Sequence, residues 1–153
     1  MKRESVIICG DINVATHPID VAALQVTCSD IAGYTEEERA NMLSLLDLVL
    51  IDTFRFLYPN AQNYYTFWNN ESQRNRNVGW RLDYSLISTS LRNALVSVEH
   101  KTDITGSDHC LVLLTLNRKH IENQAKITAF TRRREQFNTN VSQVEDFDLA
   151  IFF

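Results

Sequence analysis

Asp11 and Asn13 follow Gly10, Asp83 closes a block that opens at Gly79, and Asp108 and His109 lie just beyond Gly106. Glycine allows backbone turns that other residues resist, and a carboxylate set at a strand end by such a turn is a common way to build a site on a rigid frame. The five side chains are hard oxygen donors plus one imidazole. That set suits Mg²⁺ or Mn²⁺ with a phosphate ester better than zinc. Asp83 lies between Leu82 and Tyr84 in a strand-like run, where an acid is disfavoured unless it has a partner. His109 is a chemically sensible one, because a carboxylate on one ring nitrogen fixes the tautomer. Taken singly, Asp11-Ile12-Asn13 also reads as an Asx turn, and Ser107-Asp108-His109 as a turn before a strand.

The elements that must position these residues are readable in outline. Residues 5–9 are β-branched and apolar, a strand expected to be buried on both faces. A loop is expected over 14–34. Thr35 and Glu38 bracket a capping box, and Glu36, Glu37 and Glu38 suit a helix start, so a helix is expected over 35–49. A short helix at 53–58 stops at Pro59. Strands are expected at 64–68, 81–88, 94–100 and 109–117, with a polar loop over 69–77. The 109–117 run is nearly continuous in apolar residues and also reads as covered on both faces. Beyond Arg118 there is neither Gly nor Pro. A helix over 119–137 fits weakly, and 147–153 is apolar without a pattern. One convincing helix cannot cover both faces of such a sheet, which leaves one face without a partner.

The chain has 153 residues, 44% hydrophobic and 22% charged. That is a single-domain length, and the mix excludes a disordered chain. No apolar run approaches the roughly 20 residues of a membrane helix, so no membrane partner is expected. The apolar run behind Met1-Lys2-Arg3 is too short for a signal peptide. The three cysteines form no CxxC or zinc spacing and read as small buried hydrophobes in a reducing compartment. The net charge of −4 excludes a strongly basic nucleic-acid footprint overall.

Together the blocks Ile8-Cys9-Gly10-Asp11-Ile12-Asn13-Val14-Ala15, Gly33-Tyr34-Thr35-Glu36-Glu37-Glu38-Arg39, Asp52-Thr53-Phe54-Arg55, Tyr65-Thr66-Phe67-Trp68, Asn77-Val78-Gly79-Trp80-Arg81-Leu82-Asp83-Tyr84 and Gly106-Ser107-Asp108-His109-Cys110 resemble the exonuclease III family of apurinic/apyrimidinic (AP) endonucleases. That family lies within the endonuclease/exonuclease/phosphatase superfamily. The resemblance covers residues 5 to about 117 and corresponds to the C-terminal half of the family's catalytic domain. It implies an α/β fold: part of a four-layered, DNase I-like sandwich, with a mixed sheet carrying helices on one face. Residues 118–153 are a tail outside it. The family's N-terminal half, with its metal-binding glutamate, has no counterpart here, and Glu4 cannot supply it.

The resemblance also implies roles. Asp11 would orient or deprotonate the attacking water, and Asn13 would contact the phosphate. Asp108 would help bind the metal, with Asp11, Asn13 and His109 as further candidates around it. His109, held by Asp83, would stabilise charge on the scissile phosphate, or the pair would serve as the base. Phe67, Trp80 and Leu82 match the family's pocket for an extrahelical abasic sugar, which is small and partly apolar; plain core packing is the alternative. Arg74, Arg76 and Arg81, with Asn77, are expected at the phosphate backbone, or in a solvated loop. Arg132-Arg133-Arg134 lies outside the resemblance. The chain departs from the family's pattern in a stretch over 21–30 without a base, in His17 beside Pro18, and in Leu111 after Cys110.

The expected function is a Mg²⁺-dependent endonuclease of base excision repair. It would hydrolyse the phosphodiester 5′ to an abasic site in double-stranded DNA, with 3′–5′ exonuclease as a side activity. The setting would be intracellular: nuclear in a eukaryote, otherwise cytoplasmic. The alternative is a catalytically inactive fragment that binds DNA weakly or pairs with a separate N-terminal half. A phosphatase of the same superfamily is disfavoured by the Gly79–Tyr84 block.

Overall fold

The computed structural model describes residues 5–22, 31–122, 127–131 and 146–151. Its strands form two sheets. One has the order β2 (Leu50–Asp52), β3 (Asp83–Ser88), β1 (Ser5–Asp11), β6 (Ile127–Thr131), and the other the order β4 (Leu95–Lys101), β5 (Leu111–Asn117), β7 (Asp146–Ile151). Only β1–β6 is parallel; the other pairings are antiparallel. The fold is a mixed α/β sandwich, as expected.

The sheets pack face to face through alternate side chains. Ile7, Cys9 and Ile87 from the first meet Val98, Val112, Leu114 and Leu116 from the second. The other face of the first sheet, with Ile8, Tyr84 and Leu86, is covered by Met42 and Leu46 of α1 (Glu36–Val49). The outer face of β4 and β5 meets no described helix: Val96 is 47% exposed, and Leu111 and Leu113 are half-buried. Among the described residues this face has no helix over it, as the helix inventory anticipated. Among the strands whose burial is described, β3 alone is buried at every position. β1 and β5 alternate, which corrects the expectation of strands covered on both faces. Their outward residues are apolar too, so composition hid the two-residue period.

The capping box forms as expected. The Glu38 backbone N–H donates to Thr35 Oγ1, and Glu38 Oε2 accepts from the N–H groups of Gly33 and Thr35. Asp52 caps α2 (Thr53–Leu57) by accepting from the N–H groups of Phe54 and Arg55. Within the expected loop over 69–77, Asn70 caps a five-residue helix, α3 (Glu71–Asn75). The expected strand at 64–68 makes isolated bridges instead, Phe67 pairing with both Trp80 and His109. Gly79 allows this crossing: a Cβ there would lie 2.5 Å from the Phe67 carbonyl oxygen and 2.6 Å from Trp68 Nε1. In the tail, α4 (Arg118–Glu122) is followed by β6 and β7, which extend one edge of each sheet. Of the expected helix over 119–137, the described residues to Glu122 are helical and Ile127–Thr131 is a strand instead. Arg132-Arg133-Arg134 lies outside the described residues. No helix among the described residues is long and apolar enough to cross a membrane.

Candidate active site

Strand pairing brings Asp11 opposite Asp83 at the end of β1 and start of β3. Both share the inner face with Cys9 and Ser85, at the mouth between the sheets. Two carboxylates directly opposite each other repel. The imidazole of His109, delivered by the loop between β4 and β5, relieves this: His109 Nδ1 lies 2.8 Å from Asp83 Oδ2. Burial pushes the Asp83 carboxyl up, although its hydrogen bond to His109 opposes this. Partial burial disfavours the His109 imidazolium, but the Asp83 hydrogen bond and the charges of Asp83, Asp11 and Asp108 outweigh it and hold its pKa above the ordinary value. The result is a proton poised between an imidazole and a buried acid, with two further carboxylates in electrostatic reach.

The backbone around these groups is heavily fixed. Asp11 Oδ1 accepts the Asn13 N–H at 2.8 Å, so the Asx turn that Asp11-Ile12-Asn13 can form is present. Asn13 adopts φ 59 and is exposed. The loop behind it is tied down by Tyr84, whose hydroxyl donates to the Val14 carbonyl and accepts from the Thr16 N–H. Thr66, fully buried, accepts from the N–H groups of both Leu82 and Asp83 through Oγ1. Its carbonyl receives the Cys110 N–H, and Trp68 N–H donates to the Asp108 carbonyl. One short crossing segment therefore holds the chain on both sides of the Asp83–His109 pair. Sequence reasoning missed Thr66, although its place inside the Tyr65-Thr66-Phe67-Trp68 block was a usable signal.

The other candidates fare differently. Phe67 is half-buried, its ring 4.9 Å from that of His109, beside the pair. Trp80 and Leu82 pack with Ala15, Val21 and Tyr34 in a buried cluster against which Phe67 rests. Core packing thus describes those two, and Phe67 is the member of the expected sugar wall that reaches the surface. Asp108 is exposed at the loop, Arg76 is exposed and bonds the Ser72 carbonyl, and Asn77 accepts from Trp68 Nε1.

Arg81 needs correction. It is wholly buried and ion-paired to Asp20 and Asp52, each at 2.7 Å, and Asp20 also holds Arg55. A guanidinium enclosed in this way cannot present charge to a phosphate at the surface. Burial works against the Asp20 carboxylate, yet Arg81 and Arg55 together hold its pKa below the usual range. Arg74 is also redirected. Its guanidinium donates to the carbonyls of Ser107, His109, Thr102 and Ile104, and stacks over Trp68. Among the described residues, no three His, Cys, Asp or Glu side chains converge to hold an ion, and Asp11 Oδ1 is already engaged by Asn13.

No protein-family model matches the chain. Recombination repair protein 1 of Drosophila melanogaster is 45% identical to it over 113 residues, which is 73% of this chain and 16% of that protein. An exodeoxyribonuclease of Bacillus subtilis is 36% identical over 117 residues, 76% of this chain and 46% of that protein. The crystal structure of AP endonuclease LMAP from Leishmania major aligns with a TM-score of 0.65 at 35% identity, covering 68% of this chain and 32% of that one. Over about three quarters of its length the chain is homologous to exodeoxyribonucleases and AP endonucleases. It spans less than half the length of each of these relatives. In this chain the GDxN turn, the strand acid and the SDH loop come from three separate elements and meet at one sheet mouth.

Proposed function

We propose that this chain carries the C-terminal part of the active site of a DNA repair phosphodiesterase, one that hydrolyses the backbone 5′ to an abasic site. The observation that carries this reading is the Asp83–His109 pair at 2.8 Å, placed across from Asp11. A water at the mouth would lose its proton to the Asp11 carboxylate and attack phosphorus, breaking the P–O3′ bond, and the leaving 3′-oxygen would take up a proton to end as a 3′-hydroxyl. His109, whose protonated form Asp83 favours, would donate to a phosphoryl oxygen as negative charge builds there. Asn13, exposed beside Asp11, offers its side-chain amide to the same phosphate. Phe67 provides an apolar surface for a sugar lacking its base, as the expected pocket requires. The names of the relatives, an exodeoxyribonuclease and an AP endonuclease, support DNA as the substrate and exonuclease as a companion activity.

Mg²⁺ or Mn²⁺ belongs to this proposal on donor chemistry alone. Asp108, Asp11, Asn13 and His109 are the oxygen and nitrogen ligands at hand. A nuclear or cytoplasmic setting follows from the repair role. The test is incubation of the purified chain with a duplex containing one abasic site, with and without Mg²⁺. Incision 5′ to the lesion that Asp11→Ala abolishes supports the reading; incision indifferent to Asp11→Ala overturns it.

The partial span of the relatives favours a second reading, a chain that binds DNA weakly without cutting it or works with a separate N-terminal half. Fluorescence anisotropy showing binding to the abasic duplex with no incision at any Mg²⁺ concentration selects it.

A further inference from the structure

The loop that carries Asp108 and His109 has little holding it from within. Residues 102–106 are exposed and have neither helix nor strand structure, and Gly106 sits at φ 115 with nothing near its Cβ position. The backbone donors bond locally: Thr102 N–H to the His100 carbonyl, Ile104 N–H to the Lys101 carbonyl, His109 N–H to Ser107 Oγ. At its C-terminal end the loop is tied to the crossing segment, Trp68 N–H donating to the Asp108 carbonyl and Cys110 N–H to that of Thr66, whereas these local bonds shape the 102–107 limb without fixing where it lies.

Arg74 ties that limb to the end the crossing segment holds. From the last turn of α3, its Nη1 donates to the carbonyls of Ser107 at 2.7 Å and His109 at 3.5 Å, and its Nη2 to those of Ile104 at 2.8 Å and Thr102 at 3.2 Å. One planar fork thus gathers four carbonyls from both limbs of the loop. The plane is set by stacking 4.7 Å over Trp68, which is 2% exposed and donates through Nε1 to Asn77 Oδ1. Lysine has one donor centre and no plane, so it cannot reproduce this arrangement.

We propose that Arg74 is a positioning residue: its guanidinium holds the 102–109 loop so that Asp108 and His109 face Asp83 and Phe67 at the sheet mouth. The inference deepens the proposed function, and its structural part stands apart from whether the isolated chain cuts DNA.

The experiment compares the full chain with Arg74→Ala and Arg74→Lys. Nuclear Overhauser contact between the Phe67 and His109 rings, 4.9 Å apart in the native fold, should be lost in both variants. Amide exchange at 107–109 should rise at least tenfold in both, with the melting temperature of each held close to that of the parent. Arg74→Lys keeps the charge, so its failure to rescue identifies the fork as the active feature. Where the parent incises, kcat should fall at least tenfold while KM stays within twofold. For DNA binding, the salt dependence should be unchanged, whereas loss of a phosphate contact would lower its slope by about 1. Preserved ring contact and exchange in Arg74→Ala, rescue by Arg74→Lys, or a lowered salt slope overturns the proposal. If Arg74→Ala does not fold, Arg74→Gln, which keeps two donors on a planar group, replaces it, and the same outcomes decide.

Discussion

Replacing Asp83 by asparagine should bring the His109 pKa down toward the ordinary value of about 6.5, read by NMR titration of the ring. In the parent the raised pKa means that this pairing stabilises the fold fully below about pH 6.5, and that the contribution fades as pH rises through the native value. Asp83→Asn should erase that slope. The Arg81 network behaves in the opposite sense. Asp20 has a depressed pKa, so its contribution is present above about pH 4 and is lost as pH falls through the lower native value. Arg81→Leu leaves the buried Asp52 without its cation and Asp20 with Arg55 alone, and should cost about 3–5 kcal/mol in urea unfolding at pH 7. The first of these pairs was legible in the residues, because an acid inside a strand demands a partner and the chain offers a histidine at a plausible site. The second was not. Arg81 meets Asp20 and Asp52 across separations of 61 and 29 positions, and nothing local distinguishes a guanidinium bound for an ion pair from one bound for a phosphate.

Among the elements, α1 was the most readable, because its capping box acts within four residues. Thr35→Ala should cost about 1 kcal/mol, seen as a lower thermal midpoint with helicity lost at the first turn. The apolar spacing was a weaker guide: Met42 is the buried residue of that helix, while Leu43, Leu45, Leu48 and Val49 are exposed. The crossing at Phe67 and Trp80 was misread as a strand, since its β-rich composition is the same whether a segment joins a ladder or bridges two others. Gly79→Ala tests that crossing. The added methyl meets backbone and a buried indole, so destabilisation of about 1–3 kcal/mol is expected from chemical denaturation. β2 and α3, at three and five residues, are too short to carry a period, and pairing or a cap decides them instead.

At the scale of the whole molecule, the two-sheet sandwich buries one face of each sheet on the other, and α1 covers a third. The outer surface of α1 remains apolar, with Leu48 71% exposed. Leu48→Glu should reduce self-association in light scattering while changing stability by no more than about 0.5 kcal/mol. A bare sheet face could be anticipated from the shortage of helices, but which face it is depended on strand order, and strand order is set by contacts distant in sequence. Strand β1 illustrates what such contacts demand of the nascent chain. Its partners are β3, which begins at Asp83, and β6, which begins at Ile127. During synthesis Val6, Ile7 and Ile8 precede the start of β3 by roughly 70 residues, on the order of ten seconds at ordinary elongation rates. Through that interval an aggregation-prone β-branched stretch stands unpaired, so the rate of translation and the presence of a holding chaperone govern how much of this protein reaches its native state.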